Sequence, residues 1–98
     1  MLPFQLLRQA ERELELARQW YDEQRYCLGL VFFDAYEDAV RYAQEFPDAG
    51  TELGSSVRKF PLQGFPFYLV TSVVDETLVV IAVAHAKRKP GYWLQRIQ

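Results

Sequence analysis

The sequence is poor in the residues that most often carry chemistry. It has one cysteine, one histidine and no long apolar run. Cys27 stands alone, so no disulfide can close within the chain, and such usage fits a reducing compartment. One Cys and one His, Cys27 and His85, do not make a metal site by spacing. No glycine-rich loop has phosphate-cradling spacing, and Gly54-Ser55-Ser56 is too short to serve as one. No apolar run approaches the ~20 residues of a membrane span. Met1 to Arg8 has no basic segment leading into an apolar run, so no signal peptide is expected. There is no internal repeat and no low-complexity tract. The expectation is a cytoplasmic protein without metal, cofactor or membrane.

What is present is a globular composition. The 98 residues are 50% hydrophobic and 15% aromatic. Such a length allows one domain, residues 1–98, burying roughly two-thirds of its unfolded surface. The net charge of −2 argues against bulk nucleic-acid binding. Its distribution is uneven. Residues 1–54 carry five basic and eleven acidic groups, a net of −6; residues 55–98 carry six basic and two acidic, a net of +4. An anionic partner should therefore meet the second half.

The first half has helical spacing. Ala10, Leu14, Ala17 and Tyr21 recur at steps of four, three and four, with Leu16 and Trp20 widening the stripe. This predicts a helix from about Gln9 to Gln24. Arg25-Tyr26-Cys27-Leu28-Gly29 breaks the period and ends in glycine, as a turn would. Phe32, Tyr36, Ala39, Ala43 and Phe46 repeat the pattern until Pro47, whose preceding residue is pushed out of the helical region. Two helices of similar length with a short connection predict an antiparallel hairpin.

After the loop Asp48 to Ser56 the period becomes two. Val57 to Leu62 is a short candidate strand, Phe65 to Val74 a longer one, and Leu78 to Ala84 an almost wholly apolar one that should lie centrally. Asp75-Glu76 separates the last two at hairpin spacing. Pro61 and Pro66 belong at strand ends or an edge. Pro3 to Leu6 is a further candidate strand. The sum is an α+β domain, a helical hairpin packed on a small, mostly antiparallel β-sheet.

Two stretches invite functional readings. His85, at the end of the central strand, either hydrogen-bonds a neighbouring backbone group or acts as an acid, base or phosphate contact. Lys87-Arg88-Lys89-Pro90-Gly91-Tyr92-Trp93 places three cations before two aromatics. These can bind phosphate and stack on bases, or the aromatics can pack back on the sheet beneath a solvated turn. Arg58 and Lys59 are expected to join Lys87, Arg88 and Lys89 in one cationic surface, with His85 at its root.

The chain resembles the RelE/ParE toxins of bacterial type II toxin–antitoxin modules over nearly its whole length. The resemblance rests on Ala10-Glu11-Arg12-Glu13-Leu14, Trp20-Tyr21 and Leu28-Gly29 in the hairpin, and on Phe46-Pro47 and Val57-Arg58. It continues in Phe65-Pro66-Phe67 and Ala82-Val83-Ala84-His85, followed by Arg88, Pro90, Tyr92 and Trp93. It implies two helices against a small antiparallel sheet with an N-terminal strand.

The resemblance also implies one of two activities. RelE-like members cut messenger RNA on the ribosome, which requires a base, an acid and cations on the phosphate. Lys59, His85, Lys87 and Tyr92 (or Trp93 in its place) would form the corresponding set. Pro61 falls where a second lysine would sit, and Tyr68 where the central arginine is expected. ParE-like members lack that set and act by binding DNA gyrase. The missing arginine and net negative charge favour the ParE-like branch, with Arg58, Lys59, Lys87, Arg88 and Lys89 on the target-binding surface. An inactive relative that only binds a partner is the remaining alternative. A cognate antitoxin is the implied partner, giving a hetero-oligomer, and Trp20, Tyr21, Phe33 and Tyr36 are expected to include the residues lining its groove.

Overall fold

The computed structural model describes residues 1–54 and 56–97. Strand β1 (Phe4–Leu6) leads directly into α1 (Arg8–Gln24), which turns into α2 (Leu28–Glu45); then come β2 (Thr51–Glu52), β3 (Arg58–Pro61), β4 (Phe67–Val74) and β5 (Thr77–His85). A 3-10 turn, Leu94–Ile97, closes the described chain. The sheet order is β1-β5-β4-β3-β2, with β1 parallel to β5 and every other pair antiparallel. The N-terminal strand matches the expectation; β5 is interior, between β1 and β4, while the middle strand of the five is β4. Among the described residues no helix is long and apolar enough to cross a membrane.

The junction between β1 and α1 needs no capping side chain. The Leu7 N–H donates to the Val80 carbonyl, still pairing as a strand, while the Leu7 carbonyl accepts from Glu11 N–H, already helical. α1 buries Ala10, Leu14 and Ala17, and α2 buries Phe32, Tyr36, Ala39, Val40 and Ala43. These meet Phe60, Leu62, Leu69, Leu78, Val80 and Val83 from one face of the sheet. Alternate strand residues project to the other face, where Val57, Tyr68, Val70, Ile81, Ala82 and Ala84 form a second apolar cluster beneath Trp93.

Three details depart from the sequence reading. The turn between the helices is shorter than expected, and Gly29 is inside α2 rather than in the turn. Cys27 takes the left-handed conformation there (φ 63°). Gly29 instead marks a close approach of the helices, where a methyl group would meet the Arg18 carbonyl, and its N–H donates to Asp22 Oδ1 at 2.8 Å. Second, Thr51–Glu52, expected as loop, pairs with Lys59 and Arg58; Ser55 of that loop lies outside the described residues. Third, the β4–β5 register shifts between Val70 and Thr71, leaving Ile81 as an extra residue. Ile81 and Ala82 therefore both join the second cluster, and the faces of all later residues are exchanged.

The β4–β5 turn has both Asp75 and Glu76 at positive φ (49° and 59°), the primed hairpin geometry that suits sheet twist.

The core yields a pH prediction. Burial, with smaller contributions from Glu37 and Glu11, pushes the Tyr36 phenol up to about 12. A raised pKa means stability that is complete below the unfolded value near 10 and is lost as pH rises toward 12. Denaturant midpoints measured from pH 9 to 12 should fall, and Tyr36→Phe should make the fall shallower by about 2 kcal/mol. An identical decline in the variant would remove Tyr36 as a cause.

Candidate functional site

The sheet face turned away from the helices carries a row of three aromatics with a cation at each end. Lys59, on β3, holds its ammonium 4.8 Å from the Tyr68 ring centre. Tyr68 meets Trp93 edge-on at 6.2 Å, and Trp93 meets Tyr92 edge-on at 5.5 Å. The Arg88 guanidinium lies 3.7 Å over the Tyr92 ring. The row is built by strand alternation: Lys59 pairs with Val70, whose neighbour two residues back on β4 is Tyr68. Tyr92 and Trp93 reach it because the chain reverses after β5, where the Ala86 N–H donates to the Pro66 carbonyl and Arg88 N–H to His85 O.

Glu13 of α1 anchors this segment. Its carboxylate accepts from both Arg96 nitrogens at 2.9 and 3.1 Å, from Tyr92 Oη at 2.6 Å and from Arg88 at 3.3 Å. It also accepts the Val83 N–H at 3.0 Å, while Arg96 donates to the Ile81 carbonyl at 3.1 Å. β1 stops pairing at Val80, so beyond it the edge of β5 has no strand beside it. Glu13 and Arg96, each only 13% exposed, satisfy that edge as a strand would. Glu13 was not expected at any site: in sequence it is one of several charges on a helix, and its partners are 70 or more residues away.

The same carboxylate sets the state of Tyr92. Burial, then the hydrogen bond and negative charge of Glu13, hold its phenol far above the ordinary value. Tyr92 is a fixed neutral donor rather than a base. Burial also raises Tyr68.

The remaining candidates are dispersed. His85 falls on the helix side, with its ring 4.9 Å from Phe67, and its Nδ1 accepts the Lys87 N–H at 3.0 Å. The extra residue at Ile81 puts it there. Lys59, His85, Lys87 and Tyr92 therefore do not converge on one point. Arg58 does not join a common cationic surface either. It lies four residues along the β3–β4 ladder from the His85 end, where it donates to the carbonyls of Asp48 and Gly50 and faces Glu52. Lys87 and Lys89 are exposed in the turn after β5. Arg88 is half-exposed and shares Glu13 with Arg96.

The four aromatics expected to line a partner groove do not share a surface. Trp20 is exposed on α1, whereas Tyr36 is in the core. Tyr21 is partly buried, stacked on Phe32 at 5.1 Å and edge-on to Phe65 at 4.9 Å. Phe33 is partly buried against Tyr36. Helical spacing finds the apolar stripe but cannot separate its inner side from its rim. A groove of about 620 Å³ runs between α2 and the β2–β3 edge. Val31, Ala35, Tyr42, Phe60, Pro61 and Phe65 line it, with Asp34 and Asp38 on one bank and Lys59 on the other. None of the four aromatics contributes.

Comparison with known proteins rests on shape. No protein-family model matches the chain, and no curated protein matches it. A solved chain of the chromosomal ParDE TA system from P. aeruginosa superposes with a TM-score of 0.64, over 89% of this chain and 98% of that one, at 15% identity. The fold is RelE/ParE-like. In the RelE/ParE-like frame, the cation–aromatic row occupies the sheet face opposite the helices, and the groove lies along the second helix. The agreement in shape at so low an identity follows from pattern rather than residues: two apolar helical stripes followed by three strand-forming runs specify this layering.

Proposed function

We propose that this chain is the toxin half of a cytoplasmic type II toxin–antitoxin pair and that it acts by binding a protein target, with DNA gyrase as the expected target. The observation that carries the reading is Tyr68. Phosphodiester cleavage needs a fixed cation over the transferring phosphate and a group able to take a proton. At the centre of the sheet face stand Tyr68 and Trp93. Lys59 is engaged with the Tyr68 ring, Tyr92 is locked as a donor to Glu13, and His85 is on the other side of the sheet. Tyr68 and Trp93 are themselves buried, so what this side offers a partner is Arg88, Lys87 and Lys89 held over a rigid aromatic support, a surface that suits electrostatic docking on a protein better than chemistry.

The α2–β3 groove is the seat this reading gives the antitoxin. Its apolar floor suits side-chain anchors of a segment that folds on binding, and Asp34 and Asp38 favour a segment with basic residues. The deciding experiment induces the chain in a bacterium and follows plasmid supercoiling and messenger-RNA integrity together. Loss of gyrase-dependent supercoiling with intact messages is the expected result. Rapid message cleavage with normal supercoiling would replace this reading with the ribonuclease one, and soluble expression without growth arrest would leave a binding protein only.

Lys87 and Lys89 offer a finer test. Both are exposed, so replacing both by alanine should change stability by less than about 0.5 kcal/mol. If they steer the target, the double variant should lose most of its toxicity, read as colony survival after induction. Full toxicity would place target contact away from this turn.

A further inference from the structure

We propose that the outer edge of β1 is a self-association site, at which two copies of this chain pair their N-terminal strands antiparallel and join two five-stranded sheets into one. β1 is the last strand on its side of the sheet. Its pairing with β5 uses the Pro3 carbonyl, which accepts from Leu78, and the Leu7 N–H, which donates to Val80. Backbone groups alternate sides along a strand, so residues 3, 5 and 7 point to β5, and Phe4 and Leu6 point their N–H and C=O outward.

Phe4 and Leu6 are two residues apart, which makes the edge complementary to itself. An antiparallel pair centred on Gln5 sets Phe4 opposite the partner's Leu6 and Leu6 opposite the partner's Phe4. Each is a doubly hydrogen-bonded pair, four bonds in all, the isologous arrangement of a two-fold dimer. The side chains agree. Phe4 is 45% exposed and Leu6 is partly buried on the helix side, so pairing covers an aromatic that is otherwise in water. Natural edges are usually guarded by charge, yet residues 1–7 carry no charged side chain. The flanking charges are complementary as well. The register puts Arg8 opposite the partner's Leu2; in each copy Leu2 is tied by its N–H and carbonyl to Gln44 at the C-terminal end of α2, beside Glu45.

Sedimentation of the full chain from about 10 µM to 1 mM, with amide exchange at each concentration, tests this. The expected result is a shift from monomer to dimer with rising concentration, and slowed exchange at the Phe4 and Leu6 amides only in the dimer. Phe4→Pro deletes an outward N–H while leaving the β5 bonds intact, and Phe4→Lys keeps the backbone but sets a cation in the apolar pair. Both should stay monomeric while their melting temperatures at low concentration remain close to the parent's. Monomer throughout, or a dimer that survives both substitutions, would overturn the proposal. So would protection of these amides only when a different protein is added.

Discussion

Glu13→Ala should lower the melting temperature by roughly 12–20 °C, the largest effect of any single side-chain truncation outside the apolar core. The substitution removes the acceptor for Arg96, Tyr92, Arg88 and the Val83 N–H at once. Arg96 is 13% exposed and would be left as a poorly solvated cation, a situation that costs about 3–5 kcal/mol when one partner of a buried pair is deleted. The lower end applies, because Arg96 keeps the Ile81 carbonyl. The loss comes from the orphaned partners more than from the pair itself. Removing Arg96 as well, in Glu13→Met with Arg96→Met, should therefore cost clearly less than the sum of the single changes. A thermal melt of Glu13→Ala within 4 °C of the parent, or strictly additive singles, would show that the carboxylate does not hold this corner. The same variant should expose the Trp93 cluster, read as a red-shifted tryptophan emission.

Gly29→Ala should cost about 2–3 kcal/mol, near 10–20 °C in melting temperature, although alanine is the better helix former. A methyl carbon built there lies 2.5 Å from the Arg18 carbonyl oxygen and 2.5 Å from Asp22 Oδ1. Asp22 can rotate away only by losing its bond to the Gly29 N–H, and the Arg18 carbonyl is backbone, so α1 itself must move. Gly64→Ala is the comparison. That site has open space and φ of +85°, so only left-handed strain applies, about 1 kcal/mol. Equal losses at the two positions would mean that helix contact is not what Gly29 serves.

Gly29 also shows why parts of the structure were illegible in the sequence. A glycine after a broken period signals a turn or a close approach, and nothing local distinguishes them. The distinction depends on Arg18 and Asp22 across the hairpin. The helices were legible because each repeats its period over many residues, and β4 and β5 because each is a long run rich in β-branched or aromatic residues bounded by turn signals. β2 was not, since two residues become a strand only through their partners on β3. Arg88, Tyr92 and Trp93 were legible as a cation–aromatic group because adjacency and residue type suggest it, whereas the place of Lys59 over Tyr68 was not. His85 was misplaced because one extra residue, Ile81, exchanges the faces of everything after it, and such a bulge leaves no mark in an apolar run. Glu13 was missed because its role depends on a backbone N–H and an arginine brought from the far end of the chain.

The pairing of β1 with β5 also governs the order in which the molecule can be made. Phe4 sits beside Leu78, and Glu13 waits for Arg96 across a separation of 83 residues. During synthesis the helical hairpin and the β3–β4 ladder can form from neighbouring residues, but β1 has no neighbour in the sheet until β5 exists. Its apolar edge is meanwhile exposed on both sides. The nascent chain therefore passes through a stage with two helices over an unfinished sheet, and the cation–aromatic row does not yet exist in it. Whatever activity that row supports begins only when Arg96 has been added and has closed on Glu13.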